Sequence, residues 1–298
     1  VSEVARLLGG GSFFEAPRWR DGRWWVADFY RERVVTVEPS GREAEVMRVA
    51  GQPSGLGWMP DGSLLVVSRR DGTVLRRWPT GDVVVHADVA HLCGGYLNDM
   101  VVDRYGRAYV GEMGFALDDF ADPTTAMLIR IDPDGTASVV AEDLYFPNGA
   151  VITPDGGTLI VGETIGARYT AFMIERDGSL GNRRVWAQVA PTPELTTLAE
   201  TLDKIEFAPD GCSLDADGLI WSADEVGARC VRLAPGGRIV AEIAMPDGLT
   251  VFACMLGGDD GRTLMMCAAP DFDPQARQAE HESVLLTTTV DVPHAGLP

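Results

Sequence analysis

Glu15, Asn98, Asn148 and Asp210 each stand where a short apolar strand pattern begins in this 298-residue chain. Carboxylate and amide oxygens are hard donors, the kind that hold Ca²⁺ and also Mg²⁺ or Mn²⁺. Two carboxylates and two neutral amides balance a divalent charge, which leaves coordination positions for water or substrate. Without a cation, two carboxylates gathered about one axis repel, and one keeps its proton. A lone Asn or Asp at a strand start is ordinarily a turn or cap residue. Here four such residues occupy equivalent positions of different repeats, which favours a shared metal.

The repeat is a short apolar strand, a turn usually containing Asp-Gly, a second apolar strand, and a third strand ending in another Gly turn. Six copies follow one another: EAPRWRDGRWWVAD (15–28), SGLGWMPDGSLLVVS (54–68), NDMVVDRYGRAYVGE (98–112), NGAVITPDGGTLIVGE (148–163), DGCSLDADGLIWSAD (210–224) and ACMLGGDDGRTLMMC (253–267). Third strands such as RVVTVEPSG and MLIRIDPDG come next, with SVLLTTTV in the last copy, and fourth strands such as AEVMRV follow several of them. Six four-stranded modules at a period of roughly 40–60 residues predict an all-β fold: one six-bladed β-propeller spanning 1–298. A pair of β-sandwiches is the second choice, and six similar modules in one series disfavour it.

In a propeller the first strand of each blade lines the central channel. The Asn148-Gly149 pair therefore opens a first strand, and the hairpin turn is the later Pro154-Asp155-Gly156-Gly157. Antiparallel pairing places Glu15 near Asp28, Asn98 near Glu112, Asn148 near Glu163 and Asp210 near Asp224. All the module starts, Ser54 included, gather at one mouth, and the Asp-Gly turns lie at the other. Insertions at 113–126, 190–205 and 269–282 fall after second or fourth strands, where loops commonly carry function. In the middle one, Leu195, Leu198, Leu202 and Ile205 recur at helical spacing. Thr192 is the expected N-cap there and Pro193 the first helical residue, which puts a short helix near the mouth or on the outer edge.

The bulk properties restrict the partners. The net charge of −19 opposes nucleic acid and anionic membranes. No stretch reaches the roughly 18 apolar residues of a membrane span. The first residues show no basic segment followed by a long apolar one, so no signal peptide is read. Cys93, Cys212, Cys230, Cys254 and Cys267 show no C-x-x-C spacing and read as reduced, mostly buried thiols of a cytoplasmic protein. The four histidines share no ligand spacing, and no G-x-S-x-G occurs. Trp19, Trp24, Trp25 and Tyr30 read as core between blades.

In order along the chain, EAPRW, YLNDMVVD, FPNGAVITPDG and PDGCSLDADGLIWSAD resemble the motifs of the gluconolactonase and senescence-marker-protein (regucalcin-like) family, which includes luciferin-regenerating enzymes. The resemblance covers nearly the whole chain. It implies a divalent metal, with Ca²⁺ first and Mn²⁺, Mg²⁺ or Zn²⁺ as alternatives, held by Glu15, Asn148 and Asp210. Asn98 would complete the metal shell or bind substrate. It also implies hydrolysis of a lactone or related ester, the metal polarising the carbonyl and Asp210 taking the proton of the attacking water. Sugar-lactonase members carry an arginine two residues before the asparagine, where this chain has Tyr96. Tyrosine suits a flatter, more apolar substrate. The expected substrate contacts are Tyr96, Asn98, Glu112, Met113, Phe115 and Phe146, with Phe120 as a further apolar residue near the mouth. The expected partner is a small-molecule lactone or ester. The alternatives keep the fold and change the chemistry: phosphotriester hydrolysis, isomerisation, a biosynthetic step, or a non-catalytic calcium-binding propeller.

Overall fold

The structure is a computed structural model, and it describes residues 3–296. Six four-stranded antiparallel sheets form a β-propeller. The chain opens with β1 (Ala5–Gly11) and then lays down five complete blades. Blade one is β2 to β5 (Phe14–Arg20, Arg23–Asp28, Arg33–Val37, Glu43–Arg48), and blade two is β6 to β9 (Pro53–Trp58, Leu64–Ser68, Thr73–Arg77, Val83–Asp88). Blade three is β10 to β13 (Leu97–Val102, Ala108–Glu112, Ala126–Ile131, Ala137–Leu144). Blade four is β14 to β17 (Pro147–Ile152, Thr158–Glu163, Arg168–Ile174, Leu180–Gln188). Blade five is β18 to β21 (Pro209–Leu214, Ile220–Asp224, Arg229–Leu233, Ile239–Ala244). Blade six comprises β22 to β24 (Thr250–Gly257, Thr263–Ala269, Ser283–Thr289), and β1 is its outer strand.

That closure ties the two ends of the chain together, with Ala5 opposite Thr287 and Val284 opposite Gly9. The fourth strand of the last module therefore comes from the other end of the chain. First strands of successive blades lie against one another around the axis. They are buried almost throughout, whereas fourth strands such as β9 lie at the rim and expose Val83, Val84 and Val85 in succession. Apolar side chains fill each gap between neighbouring blades. Met59, Leu65 and Val67 of blade two, for example, pack on Leu97, Met100 and Val110 of blade three. Trp19 and Trp24 pack between blades one and six, and Trp25 meets Trp58 between blades one and two. Tyr30 packs against Phe13, Phe29 and Phe252 where the gap between blades one and six reaches the mouth, and it also lines the cavity there.

First strands approach so closely that some positions exclude a side chain. A Cβ on Gly149 would lie 2.5 Å from the Asp210 carbonyl oxygen and 2.8 Å from Gly211 Cα. Backbone cannot yield as a flexible side chain does, so Gly149→Ala is expected to destabilise the fold by about 2–4 kcal/mol. Equilibrium unfolding in denaturant measures this, and a change below about 0.5 kcal/mol, the size of an ordinary surface effect, would count against the packing argument.

The insertion 190–205 forms a shorter helix than its periodicity predicts. The helix α1 spans Leu198–Leu202, and its N-cap is Thr197, whose side chain accepts from the Glu200 N–H. Thr192 is drawn away from capping because its hydroxyl donates to the Gly166 carbonyl at 2.8 Å. A second short helix, α2 (Pro274–Ala279), lies in the last insertion and is capped by Asp273.

Candidate functional site

Each blade from one to five delivers residues to the mouth by the same device. The residue just past the second strand donates its N–H to the carbonyl two residues before the module start. The pairs are Phe29 to Phe13 (3.0 Å), Arg69 to Gln52 (3.0 Å), Met113 to Tyr96 (2.8 Å), Thr164 to Phe146 (3.0 Å) and Glu225 to Ala208 (3.2 Å). All five donor residues line one cavity of about 250 Å³. Glu15, Asn98, Asn148 and Asp210 line it too, so the structure brings the four oxygen donors to one cavity. Ser54 is buried and does not line it.

A β-bulge aims most of these donors. Leu97 pairs with Glu112 and Met100 with Val110, so Asn98 and Asp99 together face Gly111 alone. The same shift follows Pro147, which pairs with Glu163, and Pro209, which pairs with Asp224. The extra residue lets Asn98, Asn148 and Asp210 turn into the channel, a use of bulges common beside active sites. Glu15 itself pairs with Ala27, and its bulge follows immediately.

The bulge also displaces the second-strand acids from the positions expected of them. Each pairs with the residue before the donor, or one before Glu15, and turns inward to the protein. Glu112 accepts the N–H groups of Gly95 (3.0 Å), Gly114 (2.7 Å) and Met127 (2.7 Å) and does not line the cavity. Burial raises its pKa, and these backbone donors oppose the rise. Asp28, Glu163 and Asp224 tie loops in the same way, each with an arginine partner, Arg33, Arg168 or Arg229. Glu112 is therefore a structural clip, and the expected substrate contact is not made.

Tyr96 also misses the cavity wall, although Phe13, Phe146 and Ala208, at the same position in other blades, line it. Its hydroxyl donates to Asp119 Oδ2 at 2.6 Å and accepts from Arg70 at 3.2 Å. Those bonds hold the ring behind Arg69, whose guanidinium lies 4.8 Å from the ring centroid. Met113, Phe115 and Phe146 do face the cavity, with Phe115 edge-on to Phe146 at 5.8 Å. Phe120 points outward, 61% exposed. Leu202 and Ile205 place the 190–205 insertion over the mouth.

The donors suit a hard divalent cation. Asn148 Nδ2 donates to Thr164 Oγ1 (3.1 Å), which donates to the Pro209 carbonyl (2.8 Å). Asn98 Nδ2 points to the Pro147 carbonyl at 3.5 Å. With the amide nitrogens turned to protein acceptors, both amide oxygens are left for a ligand. Among the described residues no three His, Cys, Asp or Glu side chains gather closely enough to hold a metal, so the donor set depends on the asparagines.

Burial and mutual repulsion disfavour the ionised form of the carboxyls here, and a nearby positive charge would favour it. Burial pushes Glu15 up to about 8 against the N–H of Ala16, and Asp99 adds to the rise. Burial, then Glu15, Glu225 and Asp99, lift Asp210 well above the carboxylate range. Glu225 is pushed up to about 7 by burial and Asp224. Beneath them Arg18 donates to Asp99 (2.8 Å) and to the Leu56 and Met100 carbonyls, which leaves its charge bound to the channel floor.

Thr164 is the support that sequence reading missed. Thr164→Val removes the hydroxyl that orients Asn148, and outer-shell changes of this kind weaken metal binding about 10- to 100-fold. A calorimetric Ca²⁺ titration tests this, and an unchanged Kd would mean that Asn148 is not a ligand or is oriented by other contacts.

Fold and site together define a six-bladed propeller with an oxygen-donor centre at one mouth of its channel. The sequence profile of the SMP-30/Gluconolactonase/LRE-like region matches residues 13–270, and the chain belongs to that family. Among its relatives, 6-deoxy-6-sulfogluconolactonase of Pseudomonas putida is 25% identical over 95% of this chain and 93% of its own. Pentonolactonase of Haloferax volcanii is 26% identical over 90% of this chain and 86% of its own. A calcium-binding protein, regucalcin, from Agrobacterium tumefaciens shares the fold at a TM-score of 0.78, with 21% identity over 100% of this chain and 96% of that one. No helix among the described residues is long and apolar enough to cross a membrane.

Proposed function

We propose that the protein is a divalent-cation-dependent lactonase acting on a small, fairly apolar lactone. The observation that carries the reading is the convergence of two carboxylates and two free amide oxygens on one largely apolar cavity. Glu15, Asn148 and Asp210 would hold the cation, with Ca²⁺ the best match to an all-oxygen set and Mn²⁺, Mg²⁺ or Zn²⁺ as alternatives. When bound, the cation supplies Lewis-acid polarisation of the lactone carbonyl.

The chain's own groups do the rest. Asp210, ionised once its charge is compensated, accepts a proton from water as the water oxygen bonds to the acyl carbon. The ring C–O bond then breaks, and the same proton passes to the departing ring oxygen to give a hydroxy acid. Asn98 completes the cation's shell or orients the substrate. Phe13, Phe115, Phe146 and Phe252 cover the substrate's apolar part and exclude other water. The relatives that are lactonases support lactone opening, and the calcium-binding regucalcin favours a second reading, a propeller that holds Ca²⁺ without turnover.

A lactone panel separates the two. Alkyl-substituted γ- and δ-lactones are expected to exceed sugar lactones in kcat/KM by about 10-fold or more, since each methylene in an apolar pocket contributes severalfold. Equal or better use of sugar lactones would overturn the apolar assignment. Ca²⁺ binding with no lactone, ester or phosphotriester opened would favour the second reading.

A further inference from the structure

The mouth holds a second charged feature that the hydrolytic reading leaves unused. Arg69, one residue past β7, is 2% exposed and lines the cavity. Its guanidinium carbon lies 5.4 Å from the Phe29 ring centroid and 4.8 Å from that of Tyr96. The fork is filled by one carboxylate: Asp118 accepts from Nη1 at 2.7 Å and from Nη2 at 2.8 Å. Gln52 Oε1 also accepts from Nη1 at 2.6 Å, and Met113 Sδ lies 3.9 Å from Nη2. Asp118 belongs to the 113–126 insertion, its side chain is 6% exposed, and it lines the same cavity. The insertion is also fastened by Asp119 to Tyr96 and by Asp122 to the Leu198 N–H at 3.0 Å.

An arginine packed against two aromatic rings presents a bidentate fork suited to a carboxylate. In this chain the insertion itself supplies that carboxylate. A substrate bearing an anionic substituent would meet a neutralised guanidinium and the Asp118 carboxylate that occupies it. We propose that Asp118 is an internal occupant of an anion-binding position centred on Arg69, and that it restricts the cavity to lactones without a negative charge on their substituent. The proposal rests on the lactonase reading for its catalytic consequence, and on the ion pair alone for its binding consequence. Specificity of this kind is set by what a site repels as much as by what it attracts.

The test uses two lactones of the same ring and chain length, one ending in a methyl group and the other in a carboxylate. Asp118→Ala is expected to raise the carboxylate lactone's kcat/KM relative to its neutral partner by about tenfold or more, the effect of unpairing a desolvated fork that an anion can refill. Adding Arg69→Met should cancel the gain. Asp118→Asn keeps the shape and should give a smaller change in the same direction, which guards against a misfolded alanine variant. Calorimetry with hexanoate reads binding without turnover: Asp118→Ala binds it, while the parent chain and the double variant do not. If the relative kcat/KM moves by less than about twofold in both single variants and neither binds hexanoate, the proposal is overturned. If the parent opens no lactone, the lactonase reading fails, and the hexanoate comparison still decides whether Arg69 is a covered anion position.

Discussion

Asp210→Asn is expected to lower kcat for lactone opening by about 10³-fold or more while raising the melting temperature of the metal-free protein near neutral pH. The two effects share a cause. The carboxylate is the proposed proton acceptor, and a positioned base contributes about 10²–10⁴-fold. It is also a proposed metal ligand, so the variant is assayed at saturating cation to separate weakened binding from lost chemistry. Burial, with Glu15 and Glu225 nearby, holds the Asp210 carboxyl well above its ordinary range. Near pH 7 the metal-free fold must therefore keep a proton there or tolerate a poorly solvated charge, and an amide of the same shape relieves it. Falling activity with rising apo-stability distinguishes a functional group from a structural one. Activity within about fivefold of the parent at saturating metal would exclude Asp210 as the base, since even the weaker estimate for such a group is larger.

Metal removal has the second largest expected effect, and it should depend on pH. Chelation with EDTA is expected to abolish turnover, and Ca²⁺ or Mn²⁺ to restore it. The stability of the metal-free protein should fall as pH rises from the ordinary glutamate range, near 4.5, through about 8, to which Glu15 is raised. The sign follows from proton linkage. In that window the unfolded chain has released a proton that the fold retains, so each rise in pH favours unfolding. The slope is about 1.4 kcal/mol per pH unit for each such group, partly shared because Glu15 and Asp210 act on each other. A bound cation takes the place of the retained protons. The stabilisation by saturating Ca²⁺ should therefore grow with pH across the same window, as measured by thermal unfolding with and without EDTA. A metal-induced shift that is flat from pH 5 to 8 would show that Glu15 and Asp210 do not change protonation on binding.

Much of the architecture was legible because turn chemistry and strand period are local properties. The Asp-Gly turns divide the chain into hairpins, as at Asp61-Gly62, where Gly62 takes a φ of 84° that an L side chain rarely adopts. Repetition of those hairpins implied a propeller, and topology then required the first strands to converge. Glu15, Asn98, Asn148 and Asp210 could be selected on that ground alone. Other residues were hidden for physical reasons. Thr164 and Glu225 sit one residue beyond the acids that ended each expected second strand, and strand alternation turns that residue toward the cavity and the acid away from it. A signal was present, since Phe29, Arg69, Met113, Thr164 and Glu225 hold equivalent places in five repeats, but their chemical types differ and only the common hydrogen bond reveals the position. Tyr96 was expected to face the substrate, and the Asp119 and Arg70 side chains hold it behind Arg69 instead.

By itself, the sequence determined the number of blades, the hairpin turns and the four candidate oxygen donors, because each follows from a local hairpin pattern repeated along the chain. Tertiary structure alone decided three things. Strand β1 closes the last blade across nearly the full length of the chain, a pairing for which no local pattern exists. The bulges chose which side chains enter the channel, and a one-residue offset between strands reverses the face that each residue presents. Arg69 met Asp118 because two blades and an insertion converge at the mouth, and a desolvated ion pair forms only where packing excludes water from both partners.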